Sequence, residues 1–237
     1  MNKVEQSTKL DLNRIIFIGR TFEEYLDMFL LTKEELRGKK ILDCPAGACS
    51  FTAVGHKTGL DITACDIAYH FSVEQLKNKC LQDIEHVMEH IQKVKSNYKW
   101  DYFHDVEDLR KHRFNALNDF TNDFKHNAER YIKTTLPSLP FENDEFDILL
   151  SAHFLFMYAD RLDYKFHLDT INEFLRVTKQ EVRIFPLVDL EGKRYMHLDQ
   201  LIDDLTSIGC IVEEQKVPYE FQRNANSMLI IYKISST

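Results

Sequence analysis

Little in this chain bends or interrupts it. Only 7 glycines and 5 prolines occur in 237 residues, which excludes a collagen-like, linker or low-complexity protein. No apolar run approaches the roughly 20 residues that span a bilayer. The start, Met1-Asn2-Lys3-Val4-Glu5-Gln6, lacks the apolar stretch of a signal peptide, so a cytoplasmic chain with no membrane partner is expected. The five cysteines, Cys44, Cys49, Cys65, Cys80 and Cys210, are odd in number and form no Cys-x-x-Cys pair. Buried, reduced thiols are therefore expected, with no disulfide and no metal site. Positive charge is also in deficit. Lys and Arg number 30 against 38 Asp and Glu, a formal net charge of -8. Such a field opposes the neutralisation of phosphates, so nucleic acid is not an expected partner. The densest basic cluster, Arg110-Lys111-His112-Arg113, reads as a solvated helix face.

What is present is a large apolar fraction, 44%, enough for a full core. The length suits one domain over residues 1–237, with room for an insertion. Thr21-Phe-Glu-Glu24 and Thr32-Lys-Glu-Glu35 read as capping boxes opening two helices, and Gly38 is placed to end the second. Residues 40–43 and 61–66 read as short apolar strands. Ser72-Val-Glu-Gln75 caps a long helix with a stripe of Val73, Leu76, Cys80, Ile84, Val87, Met88, Ile91 and Val94. A second helix is expected from near Asp105, carrying Leu109, Leu117, Phe120 and Phe124. Strands are expected at 130–134, 146–150, 182–188, 211–217 and 228–234, and helices at 169–178 and 198–208, the latter closed by Gly209. The last two strands, joined through Arg223-Asn-Ala-Asn226, predict a hairpin.

Alternating strands and helices predict an α/β fold with a doubly wound, mostly parallel sheet. Seven strands are expected, with antiparallel pairing in the C-terminal hairpin. The stretch from Ala68 to Glu129 exceeds what a crossover needs, so a helical insertion is expected at about 72–127. Ligands in such sheets sit beyond the carboxyl ends of the strands, where strand order reverses.

The segment Ile41-Leu-Asp-Cys-Pro-Ala-Gly-Ala-Cys-Ser-Phe51 is the most informative. An apolar strand ends in an acid, Asp43, and a small-residue turn centred on Gly47 leads into a helix. Asp66 ends the next strand, at an offset where an acid hydrogen-bonds ribose hydroxyls. Each acid also reads as a local cap. Together these features resemble motif I and the following acid of the class I (Rossmann-like) S-adenosylmethionine (SAM)-dependent methyltransferases, without naming a subfamily. The resemblance is strongest from about Leu36 to Val188.

The resemblance implies SAM as cofactor. It implies a loop of Asp43, Cys44, Pro45, Ala46 and Gly47 around the methionine portion, Asp66 on the ribose and Ile67 against adenine. Leu139-Pro-Phe-Glu-Asn-Asp-Glu-Phe-Asp-Ile-Leu150 is similar to the family's approach to its fourth strand. Thr135 stands where many relatives have an acid that reads adenine, with the backbone of Leu136 as a second contact. Pro45 and Cys49 also depart from the family by standing where glycines are usual. Ser151 and His153 fall at motif IV, beside the reactive methyl group. Ala152-His153 replaces the proline pair common in enzymes that methylate nucleic-acid bases, so a small-molecule acceptor is expected. His153 is the candidate general base; its other reading is a pocket-shaping residue.

Arg20 is the expected partner of the SAM carboxylate and Tyr25 an expected pocket residue; a surface arginine and a core tyrosine are the other readings. Tyr25, Phe154, Tyr158 and Trp100 form the expected substrate pocket. Trp100, Tyr102 and Phe103 read either as a lid or as packing between the insertion's helices. Two other functions share this pattern. One is a nicotinamide-dependent oxidoreductase, which the missing Gly-x-Gly-x-x-Gly opposes. The other is a SAM-binding protein without turnover.

Overall fold

The computed structural model describes residues 15–234. In chain order the elements are α1 (Phe22–Phe29), α2 (Lys33–Leu36), β1 (Lys40–Asp43), α3 (Phe51–Lys57), β2 (Asp61–Asp66), α4 (Val73–Lys93) and α5 (Val106–His126). They continue with β3 (Tyr131–Lys133), β4 (Phe146–Ala152), α6 (Tyr164–Val177), β5 (Thr178–Phe185), α7 (Leu198–Ser207), β6 (Ile211–Lys216) and β7 (Ser227–Tyr232). The capping boxes expected at Thr21, Thr32 and Ser72 are all formed. Each satisfies otherwise orphaned amides of a first helical turn.

The sheet has seven strands in the order β3-β2-β1-β4-β5-β7-β6. The pairs from β3 through β5 are parallel, and β7 runs antiparallel between β5 and β6. This is the mostly parallel, doubly wound sheet with a C-terminal hairpin expected from the sequence. Side chains alternate between its two faces, as strand geometry requires. Ile41, Ile148, Leu150 and Ile230 join the core under α1, α3, α4 and α5. Leu42, Leu149, Leu229 and Ile231 join the core under α6 and α7. Strand order reverses between β1 and β4, so the loops after these strands frame the ligand-bearing crevice.

Two boundaries differ from the sequence reading by four residues or more. Helix α6 begins at Tyr164, five residues before the expected Asp169, because Asp163 caps it by accepting from the Phe166 amide at 2.7 Å. Strand β5 begins at Thr178 and ends at Phe185, earlier than the expected 182–188. Its start pairs with Phe146, so the sheet register, not local hydrophobicity, sets its limit.

The two helices between β2 and β3 are present, but they are not an equivalent pair. Helix α5 carries Phe120 into a ring cluster with Tyr69 and Tyr131 and packs on α3, as a crossover helix does. Helix α4 lies against α5 and is the added layer. The expected solvated face at 110–113 is corrected in part: Arg113 is 2% exposed and ion-paired inside the protein.

Candidate functional site

Asp43 and Asp66 close neighbouring parallel strands, and the loop between β1 and α3 lies over both. Asp66 takes two backbone amides, Gly47 N on Oδ2 at 2.9 Å and Ala68 N on Oδ1 at 2.8 Å. Tyr69 Oη donates to Gly47 O at 2.8 Å, and Ala46 N donates to Cys65 O at 3.0 Å. Gly47 has φ 57°, the left-handed region, which glycine enters without a Cβ penalty. A Cβ there would point into nearly open space, its nearest neighbour being Ile18 O at 3.8 Å.

Asp43 is buried. Its Oδ1 accepts from Tyr25 Oη at 3.0 Å, while Oδ2 has no hydrogen-bond partner among the described residues. Burial raises its pKa to about 8; the Tyr25 hydroxyl opposes the rise and the nearby Asp66 charge adds to it. Asp66 is raised as well, by burial, against the two amides that favour its charged form. A buried carboxyl without a cation stays largely protonated, and a cation arriving at Oδ2 would restore its charge.

Residues before α1 lie across this loop as a strap. Arg20 N donates to Cys49 Sγ at 3.2 Å, Ser50 N to Arg20 O at 2.9 Å, and Phe22 N to Ser50 Oγ at 3.1 Å. Contact is so close at Gly19 that a Cβ would stand 1.9 Å from Ala48 O. The strap is fastened beyond the loop too, through Phe17 N to Asp83 Oδ2 at 2.8 Å and Ile16 N to Tyr158 Oη at 3.3 Å.

On the other side of the crevice, β4 ends in Ser151 and Ala152, and His153 turns the chain at φ 53°. A non-glycine residue in that region marks a position held by its surroundings. Here the His153 amide donates to Phe185 O at 2.6 Å and the imidazole packs edge-on against Phe185. Its Nδ1 has no partner among the described residues, nor has Ser151 Oγ. Burial, with Arg20 and Arg113 nearby, holds the imidazole pKa well below its ordinary value, so the ring is neutral. Phe154 and Tyr158 follow, with ring centroids 6.0 Å apart. Leu190 packs on Tyr158 and also lines a cavity of about 350 Å³, walled by Met157, Tyr195 and Met196 at the ends of β4 and β5.

The expected site residues thus fall into three groups. Asp43, Cys44, Pro45, Ala46, Gly47, Asp66 and Ser151 converge at the switch point. Ile67 follows Asp66 and is 58% exposed, with Phe71 similarly open at 57%, leaving an apolar surface at the end of β2. Thr135 is exposed and bridges to Ser138, next to the partly buried Leu136, beyond the end of β3. Tyr25 is corrected from pocket wall to buttress: it is fully buried, stacks on Phe51 at 4.6 Å and holds Asp43. Trp100 and Phe103 are packing residues. Both meet the ring of Phe221 edge-on, and Lys99 N donates to Phe221 O at 2.7 Å. The joint between α4 and α5 is thereby fastened to the β6–β7 connection.

Sequence reasoning missed the fully buried pair of Glu24 and Arg113, and Tyr219, whose hydroxyl donates to Glu24 Oε1 at 2.8 Å. The available signal was Glu24 itself, an acid at the third position of a capping box. It bonds Thr21 N and still has oxygens to spare for a cation.

These features suit a nucleoside-bearing amino acid. Asp43 Oδ2 is an unpartnered acceptor for an ammonium, Asp66 has lone pairs left for two hydroxyls, and Ile67 and Phe71 offer apolar contact to a base. The chain is 38% identical over 223 residues to a protein of Methanocaldococcus jannaschii described as uncharacterized protein MJ0045, spanning 94% of this chain and 98% of that one. No family model matches. Among solved structures, the PH0226 protein from Pyrococcus horikoshii OT3 aligns with a TM-score of 0.49 at 14% identity, covering 98% of this chain and 97% of its own. A magnesium protoporphyrin IX methyltransferase from Synechocystis PCC 6803, crystallised with SAM, aligns with a TM-score of 0.48 at 11% identity, over 85% of this chain and 73% of its own.

Proposed function

The chain belongs to the family of the Methanocaldococcus jannaschii protein MJ0045, and we propose that it is a SAM-dependent methyltransferase acting on a small-molecule acceptor. The observation that carries this reading is the loop centred on Gly47. One buried acid, Asp66, holds its amide, and a second, Asp43, waits beside it with an unpartnered oxygen. A strand–turn–helix alone calls for no buried carboxyl with an oxygen left without a hydrogen-bond partner.

When bound, SAM supplies an activated methyl group on a sulfonium, so the protein's task is alignment and exclusion of water. Asp43 orients the ammonium, with Tyr25 fixing its other oxygen. Asp66 holds the ribose hydroxyls while keeping the Gly47 and Ala68 amides in place. Ala46 and Gly47 leave backbone free to touch the methionine portion; Cys44 and Pro45 lead the chain into that turn. Ile67 packs on adenine, with Thr135 and the Leu136 backbone at its edge. Ser151 and His153 border the methyl position, and His153, held neutral by burial and the nearby arginines, offers an open ring nitrogen as a hydrogen-bond acceptor that positions the methyl acceptor, its lowered pKa making it a weak base. Tyr158 and Phe154 wall the acceptor side. The joint between α4 and α5 roofs the crevice and sets acceptor choice, with Trp100 packing it onto the β6–β7 connection.

Calorimetry with SAM, S-adenosylhomocysteine and NAD tests the reading. Micromolar or tighter binding of the first two, with no heat from NAD, is the expected result. Tight NAD binding without SAM binding would replace it with an oxidoreductase.

A further inference from the structure

We propose that Tyr69 is a positioning residue for the cofactor: its hydroxyl fixes the Gly47–Ala48 peptide in the orientation that fits the methionine portion of SAM. The inference rests on the methyltransferase reading and gives a role to a residue outside the motifs that carry it.

The loop after β1 reverses over Ala46–Cys49, where Cys49 N donates to Ala46 O at 3.2 Å. Gly47, the first central residue of that turn, has φ 57°, whereas Ala48, the second, lies outside the left-handed region. This is the II′ form. Ala48 resists the positive φ that the I′ form asks of it. Gly47, however, moves freely between both signs of φ, which opens the type I form, with the central peptide turned differently. Backbone preference alone therefore does not fix the Gly47–Ala48 peptide.

The turn after β2 supplies two hooks. The peptide between Ala46 and Gly47 is held through its amide, Gly47 N to Asp66 Oδ2 at 2.9 Å. The next peptide is held through its carbonyl, Tyr69 Oη to Gly47 O at 2.8 Å. Its other edge, the Ala48 amide, makes no hydrogen bond among the described residues, although Ala48 is fully buried. The phenol is thus what orients that peptide.

Tyr69 is itself held rigidly. Asp66 caps the single turn Ile67–His70 by accepting from Ala68 N at 2.8 Å, so acid and phenol ride on one unit. The Tyr69 ring is buried against Phe120, Phe124 and Tyr131, with centroids 5.9, 5.4 and 5.5 Å away. A phenylalanine would keep those ring contacts; the hydroxyl is present for Gly47 O. Burial and the charge of Asp66 keep it protonated, and so a donor.

Turning the Gly47–Ala48 peptide over exchanges a carbonyl for an amide on the loop and reverses the dipole met by the zwitterionic end of SAM. The bond from Asp66 to the neighbouring peptide is untouched. Loss of the phenol therefore acts on the amino-acid end of the cofactor and spares the nucleoside.

The test uses the full chain as wild type, Tyr69→Phe and Tyr131→Phe. Calorimetry, direct and by competition, measures S-adenosylhomocysteine and 5′-methylthioadenosine, which lacks the amino-acid end. Tyr131→Phe removes a different hydroxyl from the same ring cluster, the one that donates to Asp123 at 2.8 Å. Tyr69→Phe should weaken S-adenosylhomocysteine about three- to tenfold, the worth of one hydrogen bond, and 5′-methylthioadenosine by less than about twofold. Tyr131→Phe should leave both affinities unchanged, even where it lowers the melting temperature as much as Tyr69→Phe does. Unchanged S-adenosylhomocysteine affinity in Tyr69→Phe, an equal loss of both ligands, or an equal loss in Tyr131→Phe would overturn the proposal and leave the methyltransferase reading intact. Should 5′-methylthioadenosine bind too weakly to compete, the comparison of the two variants decides alone. Wild type that does not bind S-adenosylhomocysteine would sink that reading, and this proposal with it.

Discussion

Arg113 reaches from the middle of α5 to Glu24 in α1 and holds both its carboxylate oxygens, at 2.6 and 2.7 Å, with both side chains shut off from water. The same guanidinium donates to Gly19 O at 3.1 Å, and Tyr219 completes the shell around Glu24. Strap, crossover helix and C-terminal connection therefore meet at one charge pair. Burial works against the charge on Glu24, yet Arg113 outweighs it and keeps the carboxyl below its ordinary range.

Removing one member strands the other without a partner. Arg113→Met and Glu24→Gln are each expected to cost about 3–5 kcal/mol. The double variant Glu24→Leu with Arg113→Met should cost less than the sum of the singles. Urea unfolding of all three variants measures this. Single losses below about 1 kcal/mol would show that water enters the cluster.

Asp43 links cofactor binding to pH. Its folded pKa, about 8, lies above the value near 3.9 of an unfolded aspartate. Between those values the folded protein without ligand holds a proton that the unfolded chain has released. The contribution of Asp43 to stability is thus complete below about pH 4 and is lost as pH rises through 8. Thermal melts of the ligand-free protein should show Asp43→Asn gaining on wild type as pH rises from 6 to 9. At pH 6.5 an ammonium placed on Asp43 should expel that proton. Calorimetry in buffers of different ionisation enthalpy should then find close to one proton released by wild type and none by Asp43→Asn.

Asp66→Ala removes the acceptor of two loop amides as well as the proposed ribose contact. SAM affinity should fall by about 2–4 kcal/mol, for two charge-assisted bonds, with the fold retained. Asp66→Asn, which keeps an acceptor oxygen, should lose less. Equal affinity of wild type and Asp66→Ala in a calorimeter would reduce Asp66 to a cap.

The two glycines of the strap and loop should fail for different reasons. Gly47→Ala faces a left-handed φ but little steric contact, and should cost about 1–2 kcal/mol. At Gly19 the added carbon meets Ala48 backbone at 1.9 Å, so the strap must lift. Gly19→Ala should therefore destabilise more than Gly47→Ala in denaturant melts and raise proteolytic cleavage within residues 15–21. The reverse order would show that the strap yields easily.

The aromatic joint offers a separate check on the roof. Phe221→Ala removes the ring shared by Tyr98, Trp100 and Phe103 and should cost about 3–5 kcal/mol. S-adenosylhomocysteine affinity should hold within a few-fold in the folded variant, because the loop after β1 does not depend on that ring. A parallel collapse of ligand affinity would place the joint in the cofactor site.

The residues of Ile41–Phe51 and Asp66 were legible because their information is local. An apolar run, an acid at its end and a glycine where the chain must turn are constraints that neighbours in sequence impose on one another. The same holds for the capping boxes at Thr21, Thr32 and Ser72, and for the stripes of α4 and α5. From such signals follow the α/β class, the seven strands and the loop where a ligand would sit. Tyr25 and Arg113 were not legible in the same way. Tyrosine in an amphipathic helix reads alike whether it lines a pocket or props an aspartate, and a cluster such as Arg110-Lys-His-Arg113 reads as surface. Only when the strap, α5 and the β6–β7 connection come together does Arg113 find Glu24, 89 residues away in sequence. The tertiary structure decided these roles because desolvation and charge pairing depend on distance in space, and in a buried site the groups that set them come from segments far apart in the chain.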